Sequence, residues 1–360
     1  MRMKTRMEPE VVGTRTKTAL AIVVLVVLTI FPFSFADLWT GKMAANPGDT
    51  YWFSWLLSHH WRQWFGTGFA SYFDAGIFAP LPHTLLFSEN FIGPALIGLP
   101  IHLLGGSPLV AFHFINVAGI LATVLTMYAF AWRLAGNRAL AMMCALFFGL
   151  SAFQISHISG HLQMSFGFFF PLTFLATMEW VRDPRWKWWL LLVAAWASSF
   201  YCNVYYFAFL SYSVSFWFLY LWLRRMRRLE LARARGGPLG FAAAAATVVA
   251  LVAPIAFLYW KLKTEFPNLA FDESARDELQ LDFASIVRSM PSMWLARARG
   301  TVESVGYPGI GILGLIIVYG TCRLGDWMAR RAGERKFLAE LGRSLSAAII
   351  VSQVVWLLAL

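Results

Sequence analysis

Long apolar runs separated by short polar breaks fill most of the chain. Thr18 to Phe35, Leu109 to Trp132, Phe241 to Trp260 and Gly306 to Cys322 are each long enough to cross a hydrocarbon core about 30 Å thick. Lipid offers no partner to a backbone N–H or C=O, so such runs must be helical unless they close into a barrel. The alternation of barrel strands is absent, and the pattern predicts an all-α, polytopic helical membrane protein of about nine spans. One apolar stretch is too short to be a span. Phe91 to Leu104 is interrupted by Pro94, Gly98 and Pro100, which predicts an interfacial or re-entrant element.

Basic clusters from Arg224 to Arg235 and from Arg323 to Lys336, with Arg2, Lys4 and Arg6, mark cytoplasmic segments. Counting back from Arg224 puts Cys202–Asn203 outside, Arg182 to Lys187 inside, His157 to His161 outside and Arg133 to Arg138 inside. The run from Leu109 therefore starts outside, where the first span ends, and Phe91 to Leu104 cannot cross without breaking that parity. Residues 37–107 become a first outer loop and 261–305 a second, within one integral membrane domain, 1–360. The basic N-terminus leads into a run too long for a signal peptide and without a small-residue cleavage site, hence a retained first helix. The last run, from Leu345, reaches Leu360 with no polar stop, which predicts a C-terminally incomplete chain.

Hydrophobic residues make up 59% of the 360 and charged residues 14%, a balance that excludes an ordinary soluble domain. The formal charge of +11 does not point to nucleic acid, because the basic residues lie in short clusters beside the spans. Cys144, Cys202 and Cys322 are odd in number and lack metal-ligand spacing, so no disulfide framework is expected.

A carboxylate is costly near lipid, which singles out Asp49, Asp74 and Glu89 in the aromatic-rich first outer loop. Asn46-Pro47-Gly48-Asp49-Thr50 reads as a turn opening an amphipathic helix, Tyr51 to Phe65. Trp52, Trp55 and Trp61 would lie in the interface and His59 and His60 would face headgroups. Asp49 is then either a helix cap or a carboxylate that takes a proton from an acceptor hydroxyl or holds a divalent cation. Ser88 or Asn90 would cap the short segment that follows, with Glu89 at its positive end.

His157 and His161 share an outer turn with Gln163, and Gly160 between the histidines argues against a helical metal pair. Hydrogen bonding to a sugar or phosphate is the functional reading there, and polar lining of a vestibule the structural one. Ser198, Ser199, Tyr201 and Asn203 add polar groups in the opposite outer turn. In the second outer loop, Asp272 to Glu278 opens a charged helix that is either a solvated face or brings Arg276 over the first loop to hold a phosphate.

The order of elements, a first span, a long acidic outer loop with surface helices, further spans and a second outer loop, resembles that of the C-type (GT-C) glycosyltransferase superfamily. Asn116 to Phe153 is similar to the span, short basic loop and span of those enzymes. FDAGIFAP and LLFSENFIGPALIGLP within Phe73 to Pro100, HLQ at His161–Gln163 and WASSFYCNVYY at Trp196–Tyr206 are more similar to an uncharacterised bacterial group of YfhO-like multi-spanning proteins. The resemblance implies a polyprenyl-phosphate sugar as donor, an acidic residue near the start of the first outer loop, matched by Asp49, and a site on the outer face of a bacterial cytoplasmic membrane. Thr50 follows Asp49, so the paired acids of the strict motif are missing, and Glu89 or an acid of Asp272 to Glu278 would have to supply a second carboxylate.

The expectation is an inverting glycosyltransferase that moves the sugar to an envelope glycan, lipid or protein acceptor. Asp49 is its base; Asp74, Glu89, Asn90, His157, His161, Gln163 and Arg276 contact substrate. The rivals are a transporter or flippase for lipid-linked glycans, which should carry ionisable residues inside its spans, and a non-catalytic membrane scaffold.

Overall fold

The computed structural model describes residues 9–30, 47–67, 72–78, 80–151, 154, 161–226 and 237–266. The chain divides into two compact units. The first, Met1–Leu150 with His157–Phe271, carries all that follows; the second, Ser151–Ser156 with Asp272–Leu360, lies almost wholly outside the described residues.

Among the described residues the fold is helical, without strands. The helices are α1 (Pro9–Ile30), α2 (Pro47–Arg62), α3 (Ile92–Leu103), α4 (Pro108–Ala135), α5 (Arg138–Gly149), α6 (Phe169–Arg182), α7 (Trp186–Cys202), α8 (Val204–Met226) and α9 (Pro238–Glu265). Short helical turns occupy Gln63–Thr67, Thr84–Phe87 and Leu162–Phe166. By length and composition, four segments are able to cross a membrane: Pro108–Ala135, Leu162–Arg182, Val204–Leu223 and Pro238–Glu265. The apolar segment predicted to be too short for a span is α3. The predicted span Gly306 to Cys322 lies outside the described residues.

Local chemistry sets the helix ends. Ser107 accepts the N–H of Val110 at 3.3 Å and Pro108 occupies the first helical turn of α4, where its missing N–H costs nothing. Gly136 ends α4 at φ 69°, a conformation suited to glycine, and Asn137 caps α5 by accepting from Leu140 N at 3.1 Å. The resulting hairpin packs closely because Gly149 leaves room for Val124: a Cβ there would lie 2.3 Å from Val124 Cγ2. The last described helix, α9, runs to Glu265, past the predicted boundary at Lys261. Lys261 and Glu265 pair at 3.6 Å along one helix face, and cations are favourable in a final turn, so the charged residues extend the helix instead of ending it.

Cross-links between helices order the bundle. Arg133 Nη2 meets Glu179 Oε2 at 2.9 Å, joining the C-terminal ends of α4 and α6, and Arg138 donates to Thr18 of α1 at 3.3 Å. The basic residues Arg133, Arg138 and Arg182 therefore share one end of the bundle, as the alternation of charge predicts. Trp189 Nε1 donates to Gly240 O near the starts of α7 and α9, and Tyr201 Oη donates to Leu251 O, level with the end of α7. The seventeen residues of α7 rise about 25 Å, whereas the twenty-eight of α4 and of α9 rise about 42 Å. Beyond Leu251, Tyr259 of α9 donates to Ser88 O, and α2 and α3 pack on the early turns of α4, where Gly98 lies against Ala111, Ile115 and Trp61.

That packing corrects the predicted surface helix. Trp61 is 1% exposed; its Nε1 donates to Ala95 O at 3.0 Å and its ring stacks on His102 at 4.5 Å. His59 and His60 are buried instead of facing headgroups. His59 Nε2 is 3.0 Å from Tyr72 O and His60 Nδ1 is 2.6 Å from Tyr72 Oη, so the loop residue Tyr72 supplies the polar partners that make their burial tolerable. Desolvation, followed by the neighbouring His59, lowers the His60 pKa to about 3, so its ring is neutral.

Candidate functional site

Two polar residues of the largely apolar α4, Asn116 and Thr123, begin the site. Asn116 accepts from Ser165 Oγ, and Thr123 Oγ1 donates to Ser165 O at 3.4 Å, which ties the Leu162–Phe166 turn to the helix. Gly119 permits the approach, since a Cβ there would stand 2.8 Å from Ser165 O. From the other side Asn203, the residue that separates α7 from α8, donates its amide to Gln163 O at 3.0 Å. Tyr206 Oη donates to Met164 O at 3.1 Å. The turn carrying His161 and Gln163 is thus clamped between α4 and the start of α8.

On this clamped turn His161 Nδ1 lies 3.6 Å from Oδ2 of Asp49, which sits in the first turn of α2. The two side chains are 23% and 50% exposed, open enough to meet a ligand. Gln163 Oε1 is buried and has no hydrogen-bond partner among the described residues, which is unusual for a buried amide oxygen. Asp49 and His161, far apart in the chain, therefore meet on the turn that also carries Gln163.

Glu89 and Asn90 lie behind them, in structural roles. The N-cap of α3 is Phe91, without a side-chain cap; Asn90, one residue earlier, accepts from Ile92 N at 3.2 Å through Oδ1, while its amide donates to Phe200 O at 3.1 Å. Phe91, held at φ 57°, is fully buried and stacks on Phe53 at 4.7 Å, contacts that offset the roughly 1–2 kcal/mol of a left-handed non-glycine residue.

Glu89 was expected at the positive end of α3; it turns instead to α8, where Oε1 accepts from Val204 N at 3.2 Å. The next amide, of Tyr205, also faces the carboxylate, and Asn203 serves the two that follow, Tyr206 N through its side chain and Phe207 N through its carbonyl. The α8 N-terminus is thereby fully capped. Burial raises the Glu89 pKa to about 8 despite these amide hydrogen bonds, so the side chain is largely protonated at neutral pH. Oε2 is buried without a hydrogen-bond partner among the described residues.

Asp74 serves its own loop: Oδ1 accepts from His83 N at 2.6 Å and lies 3.6 Å from His83 Nδ1. His157 and Arg276 lie outside the described residues. Ser199 donates back to Trp196 O within α7, and Tyr201 donates to Leu251 O and so ties α7 to α9. Among the described residues no group of three or more His, Cys, Asp or Glu side chains is arranged to hold a metal ion. A groove of about 620 Å³ opens at the other end of α2, between Ser58, Arg62, Phe65 and His102, and none of the candidate acids lines it.

The sequence marks Asp49 and the His161–Gln163 turn as candidates but not the contact between Asp49 and His161, and Asn116 was passed over. The signal for Asn116 was present: an amide within a span needs a partner, and a turn of the same chain supplies it. No protein-family model matches the chain, and no curated protein or solved structure matches it.

Proposed function

We propose that this chain is an inverting glycosyltransferase of about nine spans, with its N-terminus in the cytoplasm and its site on the outer face of a bacterial cytoplasmic membrane. It moves a sugar from a polyprenyl-phosphate donor to an envelope glycan, lipid or protein acceptor. The observation that carries this reading is the meeting of Asp49 with His161, on a turn held beside Asn116 and Thr123 of α4, N-terminal to Arg133 at that helix's end. A proton-accepting pair on the rim of a bundle of apolar helices suits a donor whose tail stays in lipid and whose sugar phosphate stands at the surface.

In the reaction the acceptor oxygen attacks the anomeric carbon, its proton passes to the Asp49–His161 pair, and the bond from the anomeric carbon to phosphate oxygen breaks as polyprenyl phosphate departs. Gln163, with its buried unpartnered oxygen, accepts from a sugar hydroxyl. A divalent cation is compatible with the half-exposed Asp49 carboxylate.

The test uses the purified chain in liposomes with undecaprenyl phosphate carrying radiolabelled glucose, galactose, mannose or arabinose, and an envelope extract as acceptor. Sugar transfer that falls at least a hundredfold in Asp49→Asn is the expected result. Full transfer by the variant, or passage of labelled lipid across the bilayer with no sugar transferred, overturns the reading.

A further inference from the structure

We infer that the groove at the C-terminal end of α2 binds the headgroup phosphate of an anionic membrane phospholipid, with Arg62 as the charged anchor. The groove, about 620 Å³ in volume, is lined by Ser58, Trp61, Arg62, Phe65, Gly66 and His102 among others, all within the first compact unit. Between Lys42 and Arg133 the chain carries a single Lys or Arg, and it is Arg62. Its side chain is exposed, and no carboxylate among the described residues pairs with it. The guanidinium is a planar fork of donors that fits two phosphate oxygens at once and stays charged across the physiological range. Beside it the His102 ring lies flat against Trp61, with centroids 4.5 Å apart and planes 12° from parallel, and Phe65 stands at 6.1 Å. No described residue hydrogen-bonds that ring, so it and the Ser58 hydroxyl serve further oxygens of the same headgroup.

The rim selects a lipid over a free anion. Phe65 is 61% exposed, and Leu103 and Leu104, which follow His102, are 67% and 85% exposed. A phosphate that carries hydrocarbon covers this apolar surface, whereas a bare phosphate leaves it wet. Leu103 also closes α3, the apolar helix too short to cross a membrane. Charge narrows the lipid further. One guanidinium matches the single negative charge of a phosphodiester such as phosphatidylglycerol, whose head brings no cation of its own to compete for the phosphate. Distance sets the groove apart from the site of the transfer reaction proposed above. From Asp49 to Arg62, α2 rises about 20 Å. A donor whose anomeric carbon stands at Asp49 keeps its phosphate bonded to that carbon, out of reach of Arg62. The groove is therefore a second lipid site, and it does not depend on sugar transfer.

Native mass spectrometry of the full chain, purified in detergent and titrated with dioleoyl phosphatidylglycerol, tests this. The wild type should bind the lipid saturably. Arg62→Gln should weaken that binding by about tenfold or more, and Arg185→Gln, which removes an exposed arginine paired with Asp183, should not. Gly66→Trp keeps Arg62 and fills the groove, because a Cβ at Gly66 meets nothing within 4 Å. It should weaken binding to the same degree while leaving the melting temperature without lipid unchanged. Added phosphatidylglycerol should raise the melting temperature of the wild type and not that of Arg62→Gln. Equal binding by wild type and Arg62→Gln, or an equal loss in Arg185→Gln, overturns the site. Displacement by millimolar inorganic phosphate makes the ligand a free anion, displacement by equimolar undecaprenyl phosphate makes it the sugar carrier, and equally tight binding of dioleoyl phosphatidylcholine makes the contact indifferent to headgroup charge; each of these overturns the inference. None of the readouts involves sugar transfer, so failure of the glycosyltransferase reading and failure of this site are seen separately.

Discussion

Glu89 Oε1 accepts the backbone N–H of Val204 at 3.2 Å, so a residue of the first loop caps the helix that begins 115 positions later. This contact fastens the first loop to the helical bundle, and with Asn203 it leaves no first-turn amide of α8 unsatisfied.

Glu89→Ala strands the Val204 and Tyr205 amides and should cost about 1–2 kcal/mol, the worth of a helix cap. Glu89→Gln keeps the accepting oxygen and should cost less than half as much. Thermal unfolding of both variants in detergent checks the order; equal losses would mean that the side chain fills space and caps nothing.

Stability of this region should depend on pH in a defined way. Glu89 has its pKa raised from 4.5 to about 8, so the folded state holds the extra proton between those values and stability falls as pH rises through that window. His60 has its pKa lowered from 6.5 to about 3, so the unfolded state holds the extra proton and stability falls as pH drops from 6.5 to about 3. The two slopes oppose each other between about pH 4.5 and 6.5, where a plateau is expected, with an alkaline fall up to about pH 8. Glu89→Gln should abolish that alkaline fall in a series of melting curves.

Gly119→Val places a side chain against Ser165 O and should cost about 1–3 kcal/mol by overpacking. It should also displace the turn bearing His161 and Gln163 and reduce sugar transfer tenfold or more. Gly66→Ala, where a Cβ meets nothing within 4 Å, is the control and should leave both stability and transfer unchanged.

Glu179 is buried at 8% exposure and is held by Arg133 at 2.9 Å and Arg182 at 3.5 Å. Arg133→Ala should destabilise by about 1–2 kcal/mol, below the full cost of breaking a buried pair because both arginines are half exposed. Glu179→Gln combined with Arg133→Ala should recover part of that loss, as a double-mutant cycle on melting temperature would show.

The helices were legible because lipid makes strong demands: a run of apolar residues has one way to satisfy its backbone, and Ser107, Gly136 and Asn137 mark ends through local geometry. Asp49 was legible as a carboxylate opening a helix for the same reason. The fates of His59, His60 and Trp61 were not, since the face that looks amphipathic in sequence is covered by residues from outside the helix, Tyr72 and Ala95 among them. Amphipathicity gives the direction of a face but not what lies against it.

From residue order alone follow the all-helical membrane-type architecture, the alternation of basic and acidic ends and the candidate acids of the first loop, because periodicity, length and charge act within a few turns of the chain. Tertiary structure alone decided that Glu89 belongs to α8 and that Asp49 meets His161. Both contacts join segments separated by more than a hundred residues, and the second lies on a turn that Gly119, Asn116 and Asn203 seat between helices that carry no local mark of being neighbours.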